Sequence, residues 1–471
     1  MELLIPLKNN IGTPMYEQIY LYMKEEIRQG SLAAGLKLPS TRVLAENLKV
    51  SRSTTQMAYD QLLSEGYIEA VPCRGYFVSR LEGLVEVSQE VLGDLIPVQK
   101  KEKTAYKVDF SPRGIDLDSF PYNTWRKLSR DTLVDDNREM FLSGDPQGEL
   151  PLRQAIGRYL HSARGVNCQP EQIVVGAGSE YLLLLLSQIL GTDHMIAMEN
   201  PTYKQAYRVF DSLGYQVAAV NMDKYGMSTS KLSETDADIA YVMPSHQYPM
   251  GIVMPVKRRQ ELLAWAGQRE GRFLIEDDYD SEFRYKGKPI PALQGMDQRE
   301  KVIYIGTFSK SIAPAIRVSY MVLPRPLLNI YREKISFYAS TVSRIDQNIL
   351  YQFLCQGHYE RHLNRMRGIY KAKHDALIGA VKNLEKIFDI QGEHAGLHIL
   401  MTPRKGRLEV WTEEQLIQEA QKQGVRVYGL SSFYIHPQHN ENPTTIILGY
   451  ANLSEEEILE GVQLLELAWM N

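Results

Sequence analysis

The stretch Ile305-Gly306-Thr307-Phe308-Ser309-Lys310-Ser311-Ile312-Ala313-Pro314-Ala315-Ile316-Arg317 decides the reading of this chain. The run from Lys301 to Ile305 is β-branched and apolar, which predicts a short buried strand. Just past its end come small hydroxyl residues, a lysine and, seven residues later, an arginine. A lysine amine forms a Schiff base with an aldehyde, and partial burial brings its pKa toward the nucleophilic range. Thr307, Ser309 and Arg317 suit a phosphate, Arg317 through a forked, charge-assisted contact. Taken alone, the same residues also fit a surface lysine beside a solvated loop, so the surroundings must decide.

Around this stretch, apolar strand-like runs alternate with helical ones. Ile173–Val175 precedes a helix from Glu180, and Met195–Met198 precedes one from Thr202; Gln216–Val220, Ile239–Met243, Phe273–Ile275 and Val302–Ile305 complete the set. This alternation predicts an α/β domain with a largely parallel sheet, in which ligands sit beyond the carboxyl ends of strands. The candidate residues fall at those ends. Gly176-Ala177-Gly178-Ser179-Glu180 joins a strand to a helix, where backbone N–H groups bind phosphate and glycine lets the anion approach; any tight strand–helix turn uses glycine too. Glu276-Asp277-Asp278-Tyr279-Asp280 follows the Phe273 strand. A carboxylate there can hold a proton on a pyridine nitrogen, and a tyrosine can hold a phenolic oxygen; the alternatives are a metal site or a plain acidic loop. No glycine-bearing calcium loop accompanies the acids, and no metal is expected. Tyr203 fits either a stacking role on a flat ring or a place in the core.

The order of these elements, Gly-rich turn, tyrosine, acidic strand end, then Ser-x-Lys-Ser with a later arginine, resembles the fold-type I aminotransferase superfamily from Asp109 to the end of the chain. The resemblance implies pyridoxal 5′-phosphate (PLP) as cofactor. It implies Lys310 as the Schiff-base lysine, Asp277 on the pyridine nitrogen, Tyr279 on the ring hydroxyl and Tyr203 stacked on the ring. Gly178, Ser179, Thr307, Ser309 and Arg317 would then hold the phosphate. Asp145-Pro146-Gln147-Gly148 and Leu152-Arg153 resemble the superfamily's early glycine motif.

The first 80 residues are of another kind. Thr13 is set to cap a helix with Pro14 at its first position, and Met15, Ile19, Met23 and Ile27 repeat on one face. Ser40 and Ser51 are further N-caps, the third helix running to about Glu65 before Gly66. Tyr67–Ala70 and Gly75–Ser79 flank Pro72-Cys73-Arg74-Gly75 as a hairpin. Helix, helix, turn, helix, hairpin is the order of a winged helix-turn-helix. The third helix opens Ser51-Arg52-Ser53-Thr54-Thr55-Gln56, short, polar and cationic, as needed to reach bases and phosphates. The whole segment is not basic: nine Lys/Arg face eight Asp/Glu. A three-helix protein-interaction domain would fit the pattern as well. The residues Leu38-Pro39-Ser40-Thr41-Arg42, Val50-Ser51-Arg52-Ser53-Thr54, Glu65-Gly66-Tyr67-Ile68 and Arg74-Gly75-Tyr76-Phe77-Val78 are similar to the DNA-binding domain of the GntR regulators. That resemblance implies that Arg42, Ser51, Arg52, Ser53, Thr54 and Gln56 face double-stranded DNA, with Arg74 and Gly75 in the wing.

Residues 81–108 read as a linker with one short helical piece, and 109–471 as the large domain. Over 471 residues the net charge is −4, which argues against a general polyanion affinity without excluding one small DNA-binding face. Three scattered cysteines, Cys73, Cys168 and Cys355, exclude a disulfide scaffold and suit a reducing cytosol. No signal peptide is expected, and the longest apolar run, Leu182–Leu186, is far too short to cross a bilayer; a cytoplasmic location is expected.

Both halves in this order resemble the MocR/GabR subfamily of GntR regulators. Pro244-Ser245-His246-Gln247-Tyr248-Pro249 and Ile275 through Phe283 carry the likeness. It implies a transcription regulator working as a head-to-tail homodimer, with a small amine or amino-acid effector, or PLP itself, sensed through aldimine chemistry at Lys310. The rival reading is an active aminotransferase with an accessory N-terminal domain. Two departures weigh against it. Tyr248 stands where aminotransferases place asparagine, and the late run Thr445–Tyr450 lacks the arginine that grips a substrate carboxylate. Gln205 and Ser432 occupy the two arginine places of the GABA-sensing regulators, so GABA is disfavoured and at most weak transamination is expected. Arg113, Arg164, His436 and His439 remain as other possible anchors.

Overall fold

The computed structural model describes residues 5–7, 13–80, 106–133, 138–284, 290–392, 396–404, 411–436 and 444–470. The chain divides into two compact units, Met1–Glu102 and Lys103–Asn471. The body of the expected linker and its helical piece, residues 81–105, lie outside the described residues.

In the first unit, α1 (Met15–Arg28), α2 (Thr41–Leu48) and α3 (Arg52–Ser64) precede the antiparallel hairpin β1 (Ile68–Val71) and β2 (Gly75–Val78). The cap of α1 differs from expectation. Pro14 itself is the N-cap, with no side-chain cap bond, and the Thr13 carbonyl instead accepts from Gln18 Nε2 at 2.8 Å. Ile19, Met23 and Ile27 are buried, whereas Met15, at the same spacing in the first turn, is 39% exposed. Ser40 and Ser51 do cap their helices, accepting from the Val43 and Thr54 amides. The helix-turn-helix is locked by two bonds, one buried and one half-buried. Thr55 Oγ1 donates to the Thr41 carbonyl at 2.8 Å, and the Tyr59 hydroxyl donates to the Pro39 carbonyl at 2.9 Å. Thr55→Val keeps the shape and removes a hydrogen bond worth about 1 kcal/mol. The expected result is a fall of roughly 4–8 °C in the melting of a unit this size, read by calorimetry.

The second unit opens with β3 (Val108–Asp109), which takes the last residue assigned to the linker into a parallel pair with residues 425–426. Helices α4 (Tyr122–Leu133) and α5 (Leu150–Arg164) lead to an eight-stranded sheet. Its strands are β4 (Ile173–Gly176), β5 (Met195–Asn200), β6 (Gln216–Asp223), β7 (Gly226–Met227), β8 (Ile239–Val242), β9 (Phe273–Asp278), β10 (Val302–Thr307) and β11 (Ser319–Val322). They lie in the order β4-β11-β10-β9-β8-β5-β6-β7. The five from β10 to β6 are parallel, and β11 is antiparallel to both its neighbours. The continuous apolar runs follow from burial on both faces. Ile275, Ile303, Ile305 and Met321 enter one core cluster; Leu274 and Val302 enter another. Helix α6 (Ser179–Leu190) starts just after β4, and α7 (Lys204–Ser212) starts two residues later than expected, after Thr202 and Tyr203. An antiparallel four-stranded sheet follows: β12 (Phe388–Gln391), β13 (His398–Pro403), then β15 (Tyr428–Gly429) and β16 (Ile446–Gly449), with β14 (Val425–Arg426) being the partner of β3. Among the described residues no helix is long and apolar enough to cross a membrane.

Candidate functional site

The carboxyl ends of β4, β9 and β10 converge on a cavity of about 170 Å³. The register explains the convergence: Asp277 pairs with Ile305 and Asp278 with Gly306, which places the acidic strand end beside the lysine loop. Of the residues expected to hold a cofactor, Lys310, Asp277, Tyr279, Tyr203, Ser179, Thr307, Ser309 and Arg317 all line this cavity. Gly178 is immediately behind it, at φ +95°, where an added Cβ would come within 2.1 Å of Arg317 Nη2. Only glycine permits that close approach of the α6 N-terminus to the guanidinium.

Lys310 reaches into the cavity from the loop after β10, its Nζ donating to the Arg113 carbonyl at 3.0 Å. Burial first, and the Arg113 charge as well, bring its pKa down to about 8, opposed by Asp280. The three acids of β9 separate by strand alternation. Glu276 accepts the backbone N–H groups of Leu293 and Gln294, each at 2.8 Å. Asp278 pairs with Arg164 at 2.8 Å and accepts from the Tyr304 hydroxyl. Asp277 alone faces the cavity, held by a short bond from the Tyr241 hydroxyl. Burial raises its pKa to about 7; the Tyr241 bond opposes this, and the neighbouring acids add to it.

The anion end of the cavity is built by two loops. Arg317 adopts the left-handed conformation (φ 51°) and donates to Glu180 Oε2 at 2.8 Å and to the Ala177 carbonyl at 3.3 Å. The Thr307 hydroxyl accepts from the Ser309 amide at 3.1 Å and from the Ser319 hydroxyl at 2.8 Å. On the opposite wall the Tyr203 and Tyr248 rings meet edge-on at 6.1 Å. The Tyr279 hydroxyl shares His246 Nδ1 with the Asp280 carboxylate, at 3.0 and 2.9 Å. A flat, phosphorylated aldehyde fits this set. It finds an amine to capture it, aromatic walls, a carboxylate for a ring N–H, and a helix N-terminus with an arginine for the phosphate.

Of the anchors considered from sequence, Arg164 is excluded by its surroundings. It is 3% exposed, and its guanidinium is consumed by Asp278, Ser245 and the Ile290 carbonyl. His436 and Ser432 are exposed, Gln205 is half-buried, and all three lie outside the cavity lining; His439 lies outside the described residues. Arg113 lines the cavity. Tyr241, which bonds Asp277, and Glu180, which bonds Arg317, take part in the site although the sequence pattern gave neither a role. The signal for Tyr241 was a lone polar-tipped residue inside the apolar run of β8.

In the first unit, Arg42, Ser51, Arg52, Ser53, Arg74 and Gly75 are exposed, and Thr54 and Gln56 are half-buried. The Ser51 hydroxyl is engaged by Ser53 and Thr54 at 2.8 and 2.7 Å, so its cap also orders the α3 entry. Arg42 pairs with Glu46 at 3.1 Å, and Gln56 donates to Asp60 at 2.8 Å. Arg52 and Arg74 make no salt bridge to any described residue, and Arg74 stands in the β1–β2 turn beside Cys73 (φ 58°).

Comparison with known proteins agrees with this division. The aminotransferase class I and II family matches residues 115–465, and the bacterial regulatory proteins of the gntR family match residues 15–78. HTH-type transcriptional regulator YdeL of Bacillus subtilis is 39% identical, covering 98% of each chain. Probable rhizopine catabolism regulatory protein MocR of Rhizobium meliloti is 30% identical over 99% of this chain and 96% of its own. Kynurenine aminotransferase of Pyrococcus horikoshii, solved with PMP, shares the fold at a TM-score of 0.68 and 24% identity, over 78% of this chain and 92% of that one. With a gntR helix-turn-helix joined to an aminotransferase class I/II domain, and full-length likeness to MocR, the chain belongs to the MocR/GabR subfamily of gntR-family transcription regulators.

Proposed function

We propose that this chain is a PLP-dependent transcription regulator that senses an amino compound, or PLP itself, at Lys310 and answers through its winged helix-turn-helix. The observation that carries the reading is the single cavity that gathers Lys310, Asp277, Tyr203 and Arg317, in a chain whose N-terminal unit is a gntR domain. When bound, PLP supplies an aldehyde that condenses reversibly with primary amines. Lys310 is the amine that would anchor it, Asp277 would hold the proton on the ring nitrogen, and Ser179, Thr307, Ser309 and Arg317, with Gly178 behind them, would hold the phosphate. In this reading a winged helix-turn-helix of residues 1–80 and an effector domain of residues 109–471 act together as a head-to-tail homodimer on a DNA operator. Large apolar side chains at the surface of the second unit, Phe141, Leu142, Phe337 and Tyr338, support self-association.

Asp277→Ala removes a charge-assisted bond worth about 1.5–3 kcal/mol. Cofactor retention is expected to fall roughly 10–100-fold, measured by dialysis and residual visible absorbance. The rival reading, a working aminotransferase, draws on the same lysine and aspartate. The test is the visible spectrum of the cofactor-loaded protein with a panel of amines and amino acids. A shifted band that persists supports a sensor. Collapse to pyridoxamine phosphate, with recovery on adding a keto acid, would establish transamination instead.

A further inference from the structure

The late strand β16 carries no arginine, yet something packs where it ends. Gly449 donates its amide to the Phe110 carbonyl at 2.9 Å, and a Cβ at Gly449 would come within 2.2 Å of the Ser111 carbonyl oxygen. The absence of a side chain at Gly449 therefore admits the segment 110–113 against the strand end. A turn closes that segment, with the Gly114 amide donating to the Ser111 carbonyl at 3.2 Å. Gly114 in turn leaves room for Asn452, whose Oδ1 would lie 2.1 Å from an added Cβ. The result is to deliver Arg113 to the cavity wall, its carbonyl on Lys310 Nζ.

The two cavity arginines are differently placed. Arg317 is neutralised by Glu180 and sits at the α6 N-terminus, the phosphate end. Arg113 forms no salt bridge with any described residue. Its charge bears on Lys310, Tyr203 and Tyr248, lowering the pKa of each against burial or together with it. Beside it the Tyr248 hydroxyl is buried, and its proton finds no acceptor among the described residues. A cation without an anion and a buried O–H without an acceptor, on one wall beside a reactive amine, are complementary to a carboxylate.

We infer that Arg113 and Tyr248 form the effector's carboxylate site, and that the effector is a compound bearing both a primary amine and a carboxylate. Arg113 thus takes over, from a different part of the chain, the task of the arginine absent from β16. This assignment rests on the sensing role of Lys310 proposed above. It makes the acid group, and not the amine alone, the basis of selection: an unpaired buried donor penalises a ligand that lacks the acceptor.

The experiment titrates the cofactor-loaded full chain with each proteinogenic amino acid and with the amine obtained by decarboxylating it, following the visible band. For the responding compound the acid is expected to bind at least tenfold more tightly than its amine. Arg113→Gln is expected to keep the band and erase that preference, weakening the acid at least tenfold while leaving the amine within about twofold, as the loss of one charge-assisted pair predicts. Tyr248→Phe is expected to weaken the acid severalfold and spare the amine. Equal binding of acid and amine by the unaltered protein would overturn the assignment while leaving sensing at Lys310 standing. So would an equal loss of both in Arg113→Gln, or loss of the visible band in that variant, which would place Arg113 on the cofactor. A chain that responds to no amine of either kind would overturn amine sensing at Lys310 and this site together, leaving PLP itself as the effector.

Discussion

Lys310→Ala is expected to abolish both the visible band and the response to any amine, while operator affinity in the absence of effector stays within about threefold. The amine is the nucleophile that the proposed chemistry requires, and among the described residues no second lysine lines the cavity. Its pKa of about 8 matters here. At pH 7 about a tenth of such an amine is neutral. A lysine at its ordinary 10.5 would be neutral at a level roughly 300-fold lower. The sign follows: a lowered lysine pKa raises the neutral, reactive fraction as pH climbs through 8. Asp277, raised to about 7, is a carboxylate only above that pH, and the carboxylate is the form that pairs with a ring N–H. Both groups therefore push the rate of cofactor capture upward between pH 6.5 and 8.5, with a plateau beyond. Stopped-flow absorbance on cofactor-free protein measures the profile. A flat profile would show that neither titration controls capture. Loss of operator binding in Lys310→Ala, alongside loss of response, would assign the lysine a role in folding.

Local chemistry made much of this molecule legible. The β-branched run before Thr307 predicts β10, and the Gly176-Ala177-Gly178 turn predicts the strand-to-helix junction that brings Ser179 to the cavity. Ser40 and Ser51 cap the helices they precede, because a short hydroxyl beside free amides needs no tertiary partner. Where packing overrides local preference, the pattern fails. Thr13 lost its cap to Pro14, and Met15 kept the helical spacing yet stays 39% exposed. The fate of the acids at 276–278 depends on which face of β9 each occupies, and Arg164, attractive as a charge, is already spent on one of them. Arg113 was no more than one of four candidates. It meets Lys310 across 197 residues, through a glycine in β16 and a turn after β3, and no periodicity within either segment encodes that contact.

Arg52→Ala and Arg74→Ala are expected to damage DNA binding in distinguishable ways. Arg52 is the first residue of α3, exposed at the helix entry that a helix-turn-helix inserts into the major groove. Arg74 stands in the exposed turn between β1 and β2, where the wing approaches the backbone or the neighbouring groove. A bidentate arginine–base contact is worth about 1–3 kcal/mol of discrimination. In a dimer the loss occurs twice, so Arg52→Ala should lower affinity for the selected operator by roughly 30-fold or more while barely changing affinity for a shuffled duplex. Arg74→Ala should weaken both duplexes alike and reduce the salt dependence by about one unit of slope per protomer, the signature of a lost phosphate contact. Arg42, already paired with Glu46 on the surface, should matter less than either. Anisotropy titrations against a duplex selected from a random pool, between 50 and 200 mM salt, separate the outcomes. If Arg52→Ala weakened specific and shuffled DNA equally, Arg52 would be a phosphate contact, and base reading would fall to Ser53, Thr54 and Gln56 further along the same helix.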